Sequence, residues 1–439
     1  MALHSQEPRR LMPAGEATTV PADAGANGVG AARSWLDALA KPTAFVALLG
    51  YPLTLTSPGA TVAMILVGLY GLALALRDGL PEDLRRVHRS MLACYLLVVI
   101  VDVLNGSIVA SLLSTGVNYL PLLALAPYAN ALRRLPLSSQ TLDRAMVATV
   151  LIAAVMSGFD VLVLSEYRPG GINLNTIPYA FVAAAWGVFI LSRGLAEQRI
   201  SMRQIAISGL ALVPVLLSQS KLVIMCLVIG YFIVGLLWAM EQRRLKMLAI
   251  VSGIVCPIVL VLFLVAAWDR ITDLAINLDR FVNGESLIVG SFAQRYMLLT
   301  SGWQAFWDHP LIGVGFSERM AVTFAHLAEV NYGASLESHL HNDYITHMVS
   351  FGVFGLVFLV AYIALTYRLV VRSGDVAYQR ASVALLSMLV IYMAAEVAFN
   401  MDPITSLVTL AFGMALSRAP AERAAAADGA VDGKSTKPD

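Results

Sequence analysis

Residues 221–240 read KLVIMCLVIGYFIVGLLWAM, a run of twenty residues in which only the first is charged. An α-helix of about 20 residues is roughly 30 Å long, which matches the hydrocarbon layer of a membrane. The run therefore predicts a membrane-spanning helix, and the composition of the whole chain agrees with it. Of the 439 residues, 58% are hydrophobic and 13% are charged, whereas soluble domains carry about 25% charged residues. A soluble enzyme and an intrinsically disordered protein are both excluded.

Twelve apolar segments are long enough, or nearly long enough, to cross a bilayer. They are residues 43–57, 59–76, 90–114, 117–132, 145–164, 175–192, 204–218, 221–240, 248–268, 345–367, 382–399 and 404–417. The predicted fold class is all-α, a polytopic membrane protein with about twelve transmembrane helices. The cysteines Cys94, Cys226 and Cys256 lie in apolar runs, which excludes a disulfide framework. A net charge of +1 gives no basic surface for nucleic acid.

The basic residues predict the orientation, because cytoplasmic loops carry an excess of Lys and Arg. If both ends of the chain are cytoplasmic, all but six of the 30 Lys and Arg residues fall on the cytoplasmic side. The six others are Arg168, Lys221, Arg270, Arg280, Arg295 and Arg319. This topology predicts disordered cytoplasmic tails at residues 1–41 and 418–439, helices one to nine within 42–268, one large outer loop at 269–344, and helices ten to twelve within 345–417.

The large outer loop is the place where chemistry is expected. It holds, or has at its edge, five of the seven histidines, namely His309, His326, His339, His341 and His347. Arg295 opens the stretch RYMLLTSGWQAFWDHP, whose aromatic residues recur at helical spacing as in a helix at a membrane interface. Pro310 ends this predicted helix, and the glycines of PLIGVG allow a tight turn. A guanidinium near a helix start suits a phosphate ligand.

The sharpest local pattern is His341-Asn342, followed after nine residues by Gly352-Val353-Phe354-Gly355. The glycines are expected inside the tenth helix, where their small size lets a neighbouring helix approach closely. His341 lies eleven residues before Gly352, so it is expected about 16 Å along the axis of that helix, at the outer surface. The near-neutral reference pKa of histidine suits the removal of a proton from a hydroxyl group.

Together with Arg295, Trp303 and the PLIGVG turn, this pattern resembles the bacterial O-antigen ligase family, part of the O-antigen ligase and polymerase superfamily. The resemblance implies a glycosyltransferase of the bacterial inner membrane with a periplasmic active site. It implies transfer of a glycan from undecaprenyl diphosphate to lipid A-core by inverting chemistry, without metal, nucleotide or other cofactor. The donor, the acceptor and the lipid bilayer are the expected partners. It assigns His341 as the catalytic base and Arg295 as a ligand of the diphosphate.

Five further residues are predicted to contact the substrate. Relatives have a second basic residue, usually arginine, at the outer end of a helix after a small polar residue. The matching place here reads Ser218-Gln219-Ser220-Lys221, so Lys221 is a predicted diphosphate ligand, although a lysine that extends to the membrane interface would look the same. Arg168, on a short outer loop, is expected to contact the glycan or the second phosphate. Arg319 is an outer arginine that binds an anion or forms a local salt bridge. Asn342 and Tyr344 orient the base or a sugar hydroxyl, or pack the loop.

Other functions fit parts of the sequence. An O-antigen polymerase would use the same donor with another acceptor. A metal site could combine His339, His341 and His347 with His326 or Asp343, but the irregular spacing lacks a helical His-x3-His pair. A proton-coupled transporter or flippase would use the intramembrane acids Asp102, Asp160 and Glu396 as a relay. Transporters bind substrate near the bilayer midplane, whereas the His and Arg residues of this chain cluster outside it, so a transferase is favoured.

Overall fold

The computed structural model describes residues 26–56, 58–106, 108–171, 175–195, 200–246, 261, 264, 268–283, 291–327, 339–372, 374–399 and 402–418. The chain forms two compact units, residues 1–40 and 41–439, and every contact described below lies within the second. The helices named here are α1 Ala26–Leu53, α2 Gly59–Asp78, α3 Glu82–Asn105, α4 Ile108–Ser111, α5 Leu120–Arg134, α6 Ser139–Leu162, α7 Thr176–Gly194, α8 Met202–Gly209, α9 Leu212–Leu217, α10 Lys221–Glu241, α11 Trp268–Val282, α12 Ser291–Asp308, α13 Arg319–Ala325, α14 Asp343–Phe351, α15 Val353–Val370, α16 Val376–Met393 and α17 Asp402–Ser417.

The described part of the chain is helical and contains no β-strand, which confirms the all-α fold class. Among the described residues, seven helices are long and apolar enough to cross a membrane, namely α2, α3, α6, α7, α10, α15 and α16. An eighth span results if α4, the π-helical turn after it and α5 are one span bent by 51°. The protein is therefore an all-α polytopic membrane protein. The predicted ninth helix, residues 248–268, lies almost entirely outside the described residues.

The start of the first helix and the end of the third helix differ from the sequence prediction. The helix α1 begins at Ala26, within the stretch assigned to a tail, where alanines favour helical backbone. The predicted third span, residues 90–114, is not one helix, because α3 ends at Asn105 and a new helical segment starts at α4. Gly106 separates them in an extended conformation, with φ −154° and ψ −159°, which no helix can continue through.

The predicted tenth helix is also divided, and the two glycines of the motif act differently from the prediction. Gly352 lies between α14 and α15 with φ +61° and ψ −146°, a conformation that favours glycine. A Cβ atom on Gly352 would lie 2.2 Å from the carbonyl oxygen of Leu311, and one on Gly355 would lie 2.1 Å from the carbonyl oxygen of His347. The prediction of a continuous helix that admits a neighbouring helix is therefore wrong. The glycines admit a loop and the preceding helical turn.

The loop that packs against this break is the PLIGVG turn after α12. The backbone amide of Val314 donates to the carbonyl of Val349 at 3.0 Å, and that of Gly315 donates to the carbonyl of Ser350 at 2.9 Å. These bonds occupy carbonyls near the end of α14, which have no partner further along that helix. The turn and α14 are therefore held together by the backbone itself.

The helices α10 and α16 pack against each other and against α7, which is the most buried of the seven candidate membrane spans. Arg380 near the start of α16 forms an ion pair of 3.1 Å with Glu241 at the end of α10. Further along, the Cys226 thiol lies 3.5 Å from the carbonyl of Met388. The two helices are therefore antiparallel, which brings Lys221, the first residue of α10, to the same end of the bundle as the last residues of α16.

Candidate active site

A single buried carboxylate joins three side chains that are distant in sequence. Glu396 lies in the connection between α16 and α17 and is only 1% exposed. Its Oε1 atom is 2.9 Å from Nδ1 of His341 and 3.2 Å from Nε2 of His339. Its Oε2 atom is 3.3 Å from Nη2 of Arg295. We call His339, His341, Arg295 and Glu396 the carboxylate cluster.

The charge of Glu396 is maintained by its neighbours. Burial alone raises the pKa of a carboxyl group, because it removes the water that stabilises the anion. Here hydrogen bonds from His339 and His341, together with the positive charge of Arg295, outweigh burial and lower the pKa of Glu396 to about 2. Glu396 is therefore an anion throughout the physiological pH range.

The side chains of two residues that follow His341 in the sequence, Asn342 and Tyr344, hold it close to this carboxylate. Asn342 is the N-cap of α14, since its Oδ1 accepts a hydrogen bond of 2.9 Å from the amide of Ile345. Its Nδ2 donates to the carbonyl of Ala394 at 2.8 Å. The hydroxyl of Tyr344 donates to the carbonyl of Val390 at 2.9 Å. The start of α14 is thus fastened to the end of α16, two residues before Glu396. The predicted substrate contacts of Asn342 and Tyr344 stay predictions.

Arg295 comes from the first turns of α12, the helix that the sequence predicts between Arg295 and Pro310. One face of α12 packs on α14 through a buried cluster of Leu298, Ala305, Phe306, Leu340 and Val349. The other face exposes aromatic rings, among them Trp303 and Trp307, as expected for a helix at a membrane interface. The Arg295 side chain is 32% exposed, so it is accessible from outside while it contacts Glu396.

The structure places Lys221 and Arg168 beside one turn. Ser220 is the N-cap of α10, and Lys221 is the first residue of that helix. The Nε of Arg168 donates to the carbonyl of Ser218 at 2.6 Å, in the turn immediately before Lys221. Gln219, between the two serines, has a positive φ of 53°. Lys221 and Arg168 therefore lie at one helix start, at the end of the bundle that carries Glu396.

Arg319 belongs to a different, buried group. It is 8% exposed at the start of α13, where it donates to the carbonyl of Phe316 and lies 3.8 Å above the centre of the Phe316 ring. The amide of Phe316 in turn donates to Oδ1 of Asp102 at 2.7 Å, and Thr115 donates to the other oxygen at 2.8 Å. The described contacts of Arg319 favour local pairing over an open anion site. The amide of Phe316 and the hydroxyl of Thr115 occupy the two oxygens of Asp102.

Asp343 and His347 support the segment that carries Glu396. The amides of Ala398 and Phe399 donate to Oδ2 of Asp343 at 2.6 and 3.3 Å. Burial raises the pKa of Asp343 to about 7, although these two hydrogen bonds lower it. His347 is fully buried, donates from Nδ1 to the carbonyl of Asp343 at 2.7 Å, and lies 2.7 Å from the hydroxyl of Tyr119.

The described residues also contain one group with the donor set of a metal site. The ligand atoms of His339, His341 and Glu396 lie within 4.8 Å of one another. This set is not the one considered from the sequence, since His347 contacts Tyr119 and His326 pairs with Asp308 at 2.8 Å. Both histidine nitrogens of the group lie at hydrogen-bond distance from one carboxylate oxygen. The Arg295 guanidinium already neutralises the other oxygen, so the geometry fits a hydrogen-bonded anion.

Sequence reasoning identified Glu396 only as an acid in the predicted eleventh helix, residues 382–399, and connected it with proton transport. The structure ends α16 at Met393, so Glu396 lies beyond the helix, where it contacts residues of the predicted outer loop. His339 was considered only as a metal ligand. The sequence does hold one sign of this role: Glu396 lies near the predicted outer end of an apolar segment, and an acid at such a place requires a cationic partner.

The comparison with protein families agrees with the geometry. The family model described as O-antigen ligase matches residues 206–360. The matched residues include Lys221, Arg295 and His341, whereas Glu396 lies after them. The resemblance of the sequence to the O-antigen ligase family is confirmed. The chain matches none of the curated proteins with which it was compared.

Proposed function

From the O-antigen ligase region at residues 206–360, which supports membership of the O-antigen ligase and polymerase superfamily, we propose that the protein is an O-antigen ligase. It transfers O-antigen polysaccharide from undecaprenyl diphosphate to lipid A-core, at the periplasmic face of the bacterial inner membrane. The observation that carries the proposal is the carboxylate cluster, which holds the predicted base and the predicted phosphate ligand on the two oxygens of one side chain.

The proposed reaction is a single displacement. Nε2 of His341 removes the proton from a hydroxyl group of the acceptor sugar, and the oxygen of that hydroxyl attacks the anomeric carbon of the donor. A new glycosidic bond forms as the bond between the anomeric carbon and the diphosphate oxygen breaks. The bonding electron pair leaves with undecaprenyl diphosphate. Attack from the side opposite the leaving group inverts the configuration at the anomeric carbon.

Arg295, Lys221 and Arg168 supply the remaining chemistry of the proposed site. Negative charge grows on the diphosphate as it leaves, and fixed positive groups around it lower the barrier. The planar fork of Arg295 suits two phosphate oxygens at once, whereas Lys221 provides a point charge at a helix start. Arg168 fixes the turn before Lys221 and stands beside it. With cations of the protein in this role, the proposed transfer proceeds without a metal.

The contacts of the intramembrane acids support a transferase over a transporter. Asp102 accepts hydrogen bonds from Phe316 and Thr115, and Asp160 accepts one of 3.3 Å from the amide of Gly171. Each acid is therefore engaged in a local hydrogen bond. Glu396, the third acid of the suggested relay, is paired with the other three members of the carboxylate cluster. A polymerase would share this site, and the two enzymes differ in the acceptor they use.

The test is transfer from purified undecaprenyl-diphosphate-linked glycan to lipid A-core in detergent. We expect His341→Ala to abolish transfer and Arg295→Ala to slow it at least about tenfold, since a charge-assisted phosphate contact contributes roughly 1.5–3 kcal/mol. Arg368→Ala is the matched control, because Arg368 is exposed at the opposite end of α15. Unchanged rates in both site variants would contradict the proposed mechanism. Product made only with a second lipid-linked repeat unit as acceptor would identify a polymerase.

A further inference from the structure

Glu396 has a more specific role than that of a buried counter-ion. We propose that it is a positioning residue that fixes the His341 ring through Nδ1 and, on its other oxygen, holds Arg295 in place until the donor diphosphate binds. This inference rests on the proposed function, because it assigns the proton-accepting atom of the base. It concerns a residue that lies outside the region matched by the family model.

The hydrogen bond to Glu396 determines which nitrogen of His341 can accept a proton. An ionised carboxylate has no hydrogen to donate, so a ring nitrogen 2.9 Å from it must be the donor. Nδ1 of His341 therefore carries the hydrogen, and the lone pair of the neutral ring is on Nε2. Without this partner the two tautomers of a neutral imidazole compete, and only one of them directs its lone pair to the substrate.

The backbone gives a second reason for a positioning partner. His341 has a φ of +50°, in the left-handed region that a non-glycine residue rarely adopts. Such a conformation costs free energy and persists only when surrounding contacts hold it. Two interactions hold it here: the hydrogen bond between His341 and Glu396, and the N-cap hydrogen bond that the next residue, Asn342, makes with the amide of Ile345. The imidazole is thus held by tertiary structure.

The contact with Arg295 differs from those with the histidines. It joins one guanidinium nitrogen to Oε2 at 3.3 Å, and no second contact between these two groups is found among the described residues. A guanidinium has five N–H donors in a fork, so one such contact orients the group without matching its full capacity. A diphosphate, which carries more charge than a carboxylate, can therefore attract Arg295 without displacing His341.

The test is a comparison of Glu396→Gln and Glu396→Asp with the wild type in the transfer assay, with kcat, the KM for the donor and the pH profile measured for each. Glu318→Gln is the matched control, because Glu318 is an exposed carboxylate at the start of α13. The charged and titratable groups that face Glu396 are His339, His341 and Arg295, with Asp343 and Tyr392 nearby.

We expect Glu396→Gln to lower kcat at least about tenfold, within the range that a positioned base contributes, while the KM for the donor does not rise. The acidic limb of the pH profile should move to lower pH, because loss of the carboxylate destabilises protonated His341. Glu396→Asp should keep the limb in place and recover part of kcat. A kcat equal to that of the wild type, or a lower kcat with an unmoved limb, would contradict the positioning role.

A measurement on the wild type keeps the inference testable if the variants do not fold. In ¹⁵N-histidine NMR spectra, with His341→Gln to assign the signal, Nδ1 of His341 should be the protonated nitrogen. Protonation at Nε2, or loss of wild-type transfer in EDTA with recovery on added zinc, would overturn the inference. If His341→Ala transfers glycan normally, the proposed function itself fails. If His341→Ala is inactive and Glu396→Gln is normal, only the role of Glu396 fails.

Discussion

Gly352→Ala should destabilise the protein strongly, although it adds only one methyl group. The new Cβ would lie 2.2 Å and 2.3 Å from the carbonyl oxygen and carbon of Leu311, and 2.6 Å from the amide nitrogen of Ile312. These are backbone atoms, so no side-chain rotation relieves the overlap. A non-glycine residue in this conformation costs about 1–3 kcal/mol, and overpacking adds a further 1–3 kcal/mol or so. We expect the free energy of unfolding to fall by about 2–6 kcal/mol.

The assay is thermal unfolding in detergent, monitored with a thiol-reactive dye in a Cys256→Ser background, because the remaining thiols of Cys94 and Cys226 are buried and become reactive when the bundle opens. The apparent Tm of Gly352→Ala should fall by several degrees. The rate of glycan transfer should fall as well, since the displaced PLIGVG turn is bonded to α14, and α14 begins two residues after His341. Gly158→Ala is the matched control, because a Cβ at Gly158 in α6 meets nothing within 4 Å.

The Gly158→Ala variant should unfold at the wild-type temperature or slightly above it, since alanine is favoured over glycine in a helix by about 1 kcal/mol. A Gly352→Ala variant with the wild-type Tm would refute the interpretation of this glycine. It would mean that the PLIGVG turn can move away from α14 at little cost. Equal losses in both variants would indicate a general sensitivity of the bundle to added methyl groups.

Three other predictions follow from the topology and the cluster. A reporter fused at Arg244 should be cytoplasmic and one near Ser335 periplasmic, because basic residues mark the inner side; a cytoplasmic signal from Ser335 would place the site on the wrong face. Lys221→Arg should retain most transfer activity, whereas the transfer rate of Lys221→Ala should fall at least about tenfold. Arg295→Lys should transfer glycan poorly, because it removes the planar guanidinium fork. Initial transfer rates check this, and wild-type rates in all three variants would exclude both residues from diphosphate binding. The pKa of Glu396 in the folded protein is about 2, against a usual 4.5. This shift contributes up to about 3 kcal/mol to the free energy of unfolding above about pH 4.5, and the contribution is lost as the pH falls towards 2. The difference in Tm between the wild type and Glu396→Gln should therefore shrink on acidification, and a constant difference would show that the charge is not the cause.

The fold class could be predicted from the sequence because membrane insertion depends on local composition. The run at residues 221–240 contains no charge after Lys221, and α10 occupies the same residues within one position. The division of the tenth helix could not be predicted in this way. Gly352 is compatible with a helix interior or with a break, and the choice depends on a loop that arrives from residues 310–315.

The candidate site was predicted in part for a similar reason. His341 and Arg295 stand in recognisable local patterns, so the residue types could be chosen from spacing and resemblance. The contacts between them could not, because they pass through Glu396, which is 55 residues from one and 101 from the other. Nothing near Glu396 in the sequence indicates that α16 ends at Met393, so the acid was placed within the membrane.

The order of residues along the chain has a consequence for biosynthesis. Arg295 and both histidines of the carboxylate cluster are synthesised before Glu396, which follows α16. In the proposed topology, the carboxylate can meet its three partners only after α16 has been inserted and the connection to α17 has crossed the membrane. Until then the proposed base lacks its proposed orienting group. We expect the nascent protein to remain inactive until this late step, so that completion of the bundle itself starts catalysis.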